Sequence, residues 1–268
     1  MKQPEPHATH REVELLDTLR GLGGSARTAN LAEVLNVSEE TVRRTVKALA
    51  KAGLVQRVHG GVYLANTEAL TPVISRLGKR SEEKARIAAA AVELIPNGSS
   101  VFLDVGSTTA FVADHLKNHR NLTVVTNGLH AAQTLANIND NKVFLAGGEL
   151  RMVEIGTFGP DAMDFVARFN IDIAIISIDG FDPRTGFLLA AAPEAQLARG
   201  VAERAGRTIV VTDHQKFGQS APMVACDPAD VDLVVTNRQP GTVFARRLEE
   251  WGVEVMVVDQ AQSASRKV

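Results

Sequence analysis

The sequence predicts two domains, a small one of short helices with a glycine hairpin and an α/β domain with a mainly parallel sheet. Three observations support this division. Residues 1–64 show helical periodicity interrupted by a tight turn and followed by a Gly-Gly pair. In residues 82–268, apolar runs alternate with amphipathic segments, an order typical of a parallel sheet covered by helices on both faces. Residues 65–81 show neither a clear period nor a long flexible tract, which predicts a linker.

The small domain is predicted to contain three short helices. The first covers about residues 11–22, and two more flank a turn at Asn36-Val37. Ser38 can cap the third helix, because a serine side chain readily accepts a hydrogen bond from a first-turn amide. The residues expected to face the core are Val13, Leu15, Leu16, Leu19, Leu31, Val34, Leu35, Val42, Val46 and Leu49.

The third helix leaves a polar, partly cationic face for another molecule. A compact helix-turn-helix lays its second helix in the major groove, where Arg and Lys hydrogen-bond guanine edges or contact phosphates. The sequence therefore predicts a domain that reads double-stranded DNA. The candidate DNA-binding residues of this helix are Ser38, Glu39, Thr41, Arg43, Arg44 and Lys47.

A predicted hairpin follows this helix. Residues 54–58 alternate apolar and polar side chains up to a Gly60-Gly61 pair that permits a tight turn, and a second apolar run comes next. Arg57 and His59 lie beside the turn, where they can contact the DNA backbone or minor groove. The alternative for His59 is a hydrogen bond within the turn itself.

Composition and charge limit the class of protein. The 268 residues contain no apolar run that approaches a membrane span, and the first residues lack a signal-peptide segment, so we expect a cytoplasmic protein. The lone Cys226 excludes an internal disulfide framework and is most simply a packed or surface residue. Residues 1–62 carry only two more cations than carboxylates, nine against seven. Useful DNA affinity is therefore expected from a homo-dimer or homo-tetramer that binds paired half-sites.

The second domain is predicted to have seven strands and six helices. Its apolar runs are Val101–Leu103, Leu122–Val125, Val143–Ala146, Ile173–Ile178, Thr208–Val211, Leu233–Val235 and Val253–Val258. The helical patterns cover about residues 82–95, 109–118, 128–137, 160–169, 194–205 and 241–251.

Small and polar residues follow five of these strands. The loops read DVGSTT from Asp104, TNG from Thr126, GGEL from Gly147, DG from Asp179 and DHQKFG from Asp213. Ligands of parallel sheets bind beyond the carboxyl ends of the strands, and a hydroxyl-rich turn entering a helix offers amides to an anion. Each loop alone also fits ordinary capping or a turn, but together they predict a pocket for a phosphorylated sugar or polyol.

The whole sequence resembles the DeoR family of transcriptional regulators. The matching motifs are VSEETVRR, RVHGG, EEKARIA, DVGSTT, TNG, LAGGELR and DHQKFG, in the family's order. The resemblance implies a winged helix-turn-helix domain joined to a sensor similar in fold to ribose-phosphate isomerase. It further implies a repressor of a carbohydrate or polyol catabolic or transport operon, induced by a phosphorylated sugar or polyol, without a cofactor or metal.

The resemblance also implies an effector site. By position, the phosphate-binding loop contains Asp104, Gly106, Ser107, Thr108 and Thr109. The other pocket loops contain Thr126, Asn127, Gly147, Gly148, Asp179, Glu194 and Lys216. Three local features depart from the pattern or add to it: Thr45 replaces a frequent aspartate, His214-Gln215 precedes the lysine, and Pro193 favours a helix starting at Glu194.

Two other classes of protein compete with this interpretation. The carboxylates Asp104, Asp179 and Glu194 with Lys216 could serve an aldose-ketose isomerase, but a DNA-binding domain gives the pocket a sufficient purpose as a sensor. His115 and His119 are spaced like paired metal ligands, but no Cys, Asp or Glu cluster completes the set. We therefore predict a regulator that is neither an enzyme nor a metal sensor.

Overall fold

The computed structural model describes residues 9–22, 25–58, 61–64 and 72–258. In the small domain, the helices are α1 (His10–Gly21), α2 (Thr28–Val34) and α3 (Glu39–Lys51). The strands β1 (Ser25–Arg27), β2 (Val55–Val58) and β3 (Gly61–Leu64) form an antiparallel sheet in the order β1-β3-β2. This is the predicted helix-turn-helix with its hairpin, although His59 lies outside the described residues.

The core of the small domain differs from the prediction at two valines. Val13 and Val34 are 45% and 54% exposed, whereas the other predicted core residues are buried or half-buried. The buried stripe of α1 is formed by Leu15, Leu16 and Leu19, and that of α2 is formed by Leu31 and Ala32. At about 100° per residue, each valine lies roughly 110° around its helix from the centre of that stripe. The predicted inward orientation of both valines is therefore wrong.

In the described residues, the second domain contains all seven predicted parallel strands, five further short strands and seven α-helices. Its strands are β4 (Ser100–Leu103), β5 (Thr123–Thr126), β6 (Lys142–Leu145), β7 (Glu149–Arg151), β8 (Gly156–Phe158), β9 (Ile173–Ser177), β10 (Gly180–Asp182), β11 (Gly186–Leu189), β12 (Arg207–Val211), β13 (Met223–Cys226), β14 (Leu233–Thr236) and β15 (Glu254–Val257). Its helices are α4 (Val73–Leu77), α5 (Ser81–Val92), α6 (Ser107–Leu116), α7 (Leu129–Leu135), α8 (Pro160–Val166), α9 (Ala192–Ala202) and α10 (Thr242–Glu250).

The main sheet has seven parallel strands in the order β15-β14-β12-β9-β4-β5-β6. Alternate residues of each strand enter two separate cores, as expected for a sheet covered on both faces. On β4, Phe102 enters one core with α8 and α9, while Val101 and Leu103 enter the other with α5 and α6. The predicted α/β architecture is confirmed. Within the described ranges, no helix is long and apolar enough to cross a membrane.

Three features were not predicted. Helix α4 lies within residues 65–81, which were predicted to be a linker. An antiparallel hairpin, β7–β8, follows β6, and a small sheet in the order β10-β11-β13 packs beside the main one. The strands in these segments are three or four residues long, too short to show a period. The domain boundaries themselves stay predictions.

Candidate functional site

The predicted loops meet at one edge of the main sheet. Asp104, Asn127, Asp179 and Asp213 follow β4, β5, β9 and β12, which are neighbours in the order β12-β9-β4-β5. All four side chains are buried. The carboxyl ends of these strands therefore bring residues more than 100 positions apart into one site.

The loop from Asp104 to Thr109 forms the centre of this site. Gly106 has a φ of 127°, and a Cβ atom built on it would lie 2.2 Å from the Ser177 hydroxyl oxygen, so only glycine fits. Helix α6 then begins at Ser107, and both Ser107 and Thr108 line a cavity. The Thr109 hydroxyl instead donates to the Gly106 carbonyl at 3.0 Å and holds the turn. The loop thus presents two hydroxyl groups and the positive end of a helix.

Four cationic side chains line the cavity in front of this helix end. They are Arg76, Arg80, Lys84 and Lys216. Lys216 was predicted from its loop, whereas the other three come from α4, α5 and the short connection between them. Their spacing of four residues could not have identified them alone, because it would place all three on one face of a continuous helix, whereas the helix is broken at Arg80, whose φ is 52°. The segment interpreted as a linker thus supplies two of the cations.

These cations are held by buried ion pairs and hydrogen bonds. Arg76 forms a short ion pair with Glu154 and lies 3.8 Å from Asp179, measured from Nη1 to Oδ1. Arg80 Nε lies 3.3 Å from Asp213 Oδ2. The Nη1 atom of Arg80 donates to Gln215 Oε1 at 2.9 Å, and Lys84 donates to the Arg76 carbonyl at 2.6 Å. The charged groups are therefore fixed in place before any ligand binds.

A group of carboxyl side chains lies on the other side of Arg76. Burial raises the pKa of Asp104 to about 7, with a further contribution from the charge of Glu154. Burial also raises the pKa of Glu194 to about 9, helped by the charges of Glu154, Asp179 and Asp104. The pKa of Glu154 is raised by burial as well, although Arg76 opposes the shift. At neutral pH Glu194 is consequently protonated and can donate a hydrogen bond to a ligand oxygen.

A second cavity lies beside these carboxyl side chains. Asp104, Gly106, Thr109 and Glu154 line it together with apolar side chains of α4. Asn127 is fully buried nearby, where its amide nitrogen lies 3.4 Å from the Thr157 carbonyl while its side-chain oxygen has no hydrogen-bond partner in the described residues. The site thus has a cationic cavity and a carboxyl-rich cavity next to each other.

Several predicted effector residues have structural roles in this arrangement. The fully buried Thr126 hydroxyl donates to the Leu103 carbonyl at 2.7 Å and accepts from the Gly128 amide at 3.0 Å. Gly147 and Gly148 lie beyond β6 and line neither cavity. A Cβ atom on Gly148 would lie 2.7 Å from the Phe158 carbonyl oxygen, so this glycine permits the close approach of β8. The ligand-binding roles of these residues stay predictions.

The structure also describes the three local features that depart from the family pattern or add to it. The Thr45 hydroxyl donates to the Thr41 carbonyl at 3.0 Å within α3. The His214 ring lies 3.3 Å from Asn237 Oδ1 and does not line the cationic cavity, while Gln215 binds Arg80. Helix α9 begins at Ala192, two residues before the predicted start at Glu194, and its first turn contains both Pro193 and Glu194.

The DNA-reading face is organised differently from the sensor site. Ser38 caps α3 by accepting from the Thr41 amide at 3.2 Å, and Arg43 donates to Glu39 at 2.8 Å. Arg44, Lys47 and Arg57 have exposed side chains. Arg43, Arg44 and Lys47 of α3 and Arg57 of the hairpin are thus exposed to solvent, and their role in DNA binding stays a prediction.

The two histidines considered as metal ligands belong to a helix end. The His115 Nδ1 atom lies 2.8 Å from the Phe111 carbonyl oxygen. In the described part of the chain, no three His, Cys, Asp or Glu side chains are grouped so that they could hold a metal ion. Cys226 is buried, and its burial raises the pKa of its thiol.

The sequence and the structure were compared with known proteins. The family model described as a DeoR-like helix-turn-helix domain matches residues 11–68, and that described as the DeoR C terminal sensor domain matches residues 79–238. A ribose 5-phosphate isomerase from Methanocaldococcus jannaschii aligns with 52% of this chain and 55% of its own, at a TM-score of 0.39 and 18% identity.

Two repressors from Escherichia coli strain K12 are much more similar in sequence. The glycerol-3-phosphate regulon repressor is 39% identical over 217 residues, which is 81% of this chain and 86% of the relative. The transcriptional repressor CsqR is 33% identical over 248 residues, which is 92% of this chain and 94% of the relative. Because both halves match in the expected order, the chain belongs to the DeoR family and is a DNA-binding transcriptional regulator rather than an enzyme.

Proposed function

We propose that this protein represses a carbohydrate or polyol catabolic or transport operon in the cytoplasm, and that a phosphorylated sugar or polyol releases it from DNA. The observation that carries the proposal is the cavity where Arg76, Arg80, Lys84 and Lys216 surround the start of α6. A phosphate group suits this arrangement, because its oxygens can accept hydrogen bonds from several cations and from the amides of a helix N-terminus.

The neighbouring carboxyl side chains, Asp104, Glu154, Asp179 and Glu194, recognise the rest of the effector. The carboxyl oxygens of Asp179 can accept hydrogen bonds from sugar hydroxyls, and Glu194, whose pKa is raised to about 9, can donate one at neutral pH. A site built to hydrogen-bond hydroxyl groups disfavours a bare phosphate ion, since its buried polar groups would stay unpaired. We therefore expect phosphorylated polyols and sugars to bind more tightly than inorganic phosphate.

The small domain supplies DNA recognition. Exposed Arg44 and Lys47 on α3 face the major groove, and Arg57 on the hairpin contacts the backbone beside it. Because the small domain carries little net positive charge, a homo-oligomer that presents two such domains is required for tight binding to paired half-sites. The effector acts by favouring an arrangement of the domains that no longer fits those half-sites.

The first experiment is a thermal-shift titration of the full chain with glycerol 3-phosphate, ketose phosphates and aldose phosphates. Glycerol, the unphosphorylated sugars and inorganic phosphate serve as ligand controls. A ligand at 100 times its Kd stabilises the folded state by about 2.7 kcal/mol, which corresponds to a shift of roughly 5–10 °C. We expect this shift from one phosphorylated compound and less than about 2 °C from its unphosphorylated counterpart.

The second experiment connects the site with DNA binding. Duplexes selected from a random library by the wild-type chain are titrated by fluorescence anisotropy with and without the stabilising compound. Lys216→Ala and Asp104→Ala are expected to bind DNA within about threefold of wild type but to lose the response to the effector. Lys142→Ala, an exposed lysine of the same domain, is the matched control and should respond like wild type. Equal damage to DNA binding and effector binding would contradict the proposal.

A further inference from the structure

An apolar patch surrounds the outer edge of the main sheet at β6 and the β7–β8 hairpin. Its five members, called here the hairpin patch, are Phe144, Leu145, Leu150, Met152 and Val153. Met152 is 70% exposed and Leu150 is 45% exposed, although residues of their type are usually buried. Large exposed apolar side chains gathered at one edge of a sheet are typical of interaction surfaces.

The same region presents two open strand edges. Among the described residues, β6 pairs only with β5, and β7 pairs only with β8. An open edge offers unpaired amide and carbonyl groups, which another strand can bind by extending the sheet. The hairpin patch therefore combines apolar side chains with available backbone hydrogen-bonding groups.

The charges on β7 favour a second copy of this chain as the occupant. Glu149 and Arg151 are two positions apart, so they project from the same face of the strand, and their charged atoms lie 4.0 Å from each other. A twofold axis through Leu150 would make two copies of β7 antiparallel. Glu149 of each protomer would then lie opposite Arg151 of the partner subunit, giving two complementary cross-strand pairs.

We propose that two copies of this protein associate through the hairpin patch, with β7 of one protomer antiparallel to β7 of its partner. Leu150 then packs against Leu150 of the partner subunit, and the surrounding apolar side chains are removed from solvent. This inference rests on the proposed function in one respect, since binding to paired half-sites requires two DNA-reading domains.

This surface is directly connected to the effector site. The segment between β7 and β8 carries Glu154, which pairs with Arg76 in the cationic cavity. The carbonyl of Val153, a member of the hairpin patch, accepts a hydrogen bond from the Val73 amide at 2.7 Å. Helix α4, which starts at Val73, follows the segment that leads from the DNA-reading domain. One hairpin thus contacts the proposed interface, the effector site and helix α4.

Charge reversal tests the interface without removing apolar residues. Sedimentation velocity of the full chain measures association for wild type, Glu149→Arg and Arg151→Glu. Wild type is expected to dimerise, and each variant should raise the dimer dissociation constant by at least about tenfold, because like charges then face each other twice. Glu250→Arg, which disrupts an exposed ion pair on α10, is the matched control and should dimerise like wild type.

An equimolar mixture of the two variants gives the decisive result. In a mixed dimer, both arginines of one protomer face both glutamates of the other, so association should return to within about threefold of wild type. Circular dichroism of each variant verifies that it is folded. Restoration of the dimer by mixing would not occur if the reversed charges acted only within one protomer.

Three outcomes would overturn this inference. A monomeric wild-type chain would mean that the patch is covered by its own DNA-reading domain or by another protein. A dimer that tolerates both single reversals would place the interface elsewhere, as would variants that dissociate and are not restored by mixing. The ligand-induced thermal shift and the selected-duplex titration are independent of these results, so a failed interface is distinguishable from a failed regulatory function.

Discussion

The DNA-reading domain and the effector site differ in how their functional residues are positioned. The described residues of the reading face come from positions 38–57 and are largely exposed on one helix and one hairpin. The effector site combines residues from Arg76 to Lys216, most of which are buried, and both of its arginines form ion pairs. Changes to the exposed face should therefore affect binding alone, whereas changes to the buried site should affect both binding and folding.

The largest expected effect is a loss of stability on breaking the Arg76–Glu154 pair. Both side chains are only 7% exposed, and Arg76→Ala would leave Glu154 buried near Asp179 without its cation. Removing one partner of a buried pair costs about 3–5 kcal/mol in free energy of unfolding. Thermal unfolding followed by circular dichroism should show a decrease in Tm of roughly 8 °C or more for the second domain.

The exposed Arg246–Glu250 pair provides the control for this change. Arg246 Nε lies 3.0 Å from Glu250 Oε1 on α10, and Arg246 is 78% exposed. Because exposed pairs contribute about 0–1 kcal/mol, Arg246→Ala should lower the Tm by less than about 3 °C. Similar Tm values for both alanine variants would mean that the buried pair is not a structural element of the site.

The buried pair also shows what the sequence could and could not predict. All seven parallel strands were identified from apolar runs, and Asp104, Asp179 and Lys216 lie beyond the carboxyl ends of β4, β9 and β12, while their ligand-binding roles stay predictions. Local patterns suffice here because each strand is buried on both faces and each loop begins where the apolar run ends. The helix-turn-helix was predictable for a similar reason, since its caps, turns and periodicity are contained within a few residues.

The missed residues enter the site from outside the sheet. Arg76 and Arg80 lie on a short helix and its connection, and Glu154 lies in a hairpin whose strands have three residues each. No rule about strand ends includes such segments, and charged residues in them are usually solvated. Only tertiary packing of α4 against the sheet edge makes these charges buried. Their recognition from sequence would have required pairing Arg76 with a carboxylate 78 positions away.

The reading face can be separated from the site by Arg44→Ala. Arg44 is exposed on α3, and loss of one arginine contact to DNA costs about 1–3 kcal/mol, or roughly 5- to 150-fold in affinity. Anisotropy titrations at fixed salt concentration should show this loss, while the Tm and the effector-induced thermal shift stay within about 1 °C of wild type. Lys117→Ala, an exposed lysine of the sensor domain, should bind DNA normally. A decrease in effector binding by Arg44→Ala would contradict the separation of the two regions.

A pH-dependent effect is expected only in the buried site. The pKa of Glu194 rises from 4.5 to about 9 on folding, so the folded protein holds a proton that the unfolded chain releases between these values. Stability from this group is therefore fully present below about pH 4.5 and is lost as the pH rises toward 9. Glu194→Gln removes this dependence, because glutamine has no proton to release.

Thermal unfolding at a series of pH values tests this expectation. The Tm of Glu194→Gln minus that of wild type should increase with pH and level off near pH 9. The increase should reach roughly 3 °C per pH unit, which corresponds to about 1.4 kcal/mol in free energy of unfolding. DNA affinity at neutral pH should be the same for both proteins. Parallel Tm curves would mean that Glu194 ionises normally in the folded protein.

The smallest expected effect concerns the start of the reading helix. Ser38 accepts a hydrogen bond from the Thr41 amide at 3.2 Å, so Ser38→Ala leaves a first-turn amide of α3 without its cap. Such a loss costs about 1 kcal/mol, and Ser38→Asp should retain the stability because aspartate caps equally well. Hydrogen exchange of the α3 amides should accelerate about fivefold in the alanine variant, with no change in the strands of the main sheet. Faster exchange in those strands would show that the two domains unfold as one unit, and the contrast between an independent reading domain and a cooperative buried site would no longer hold.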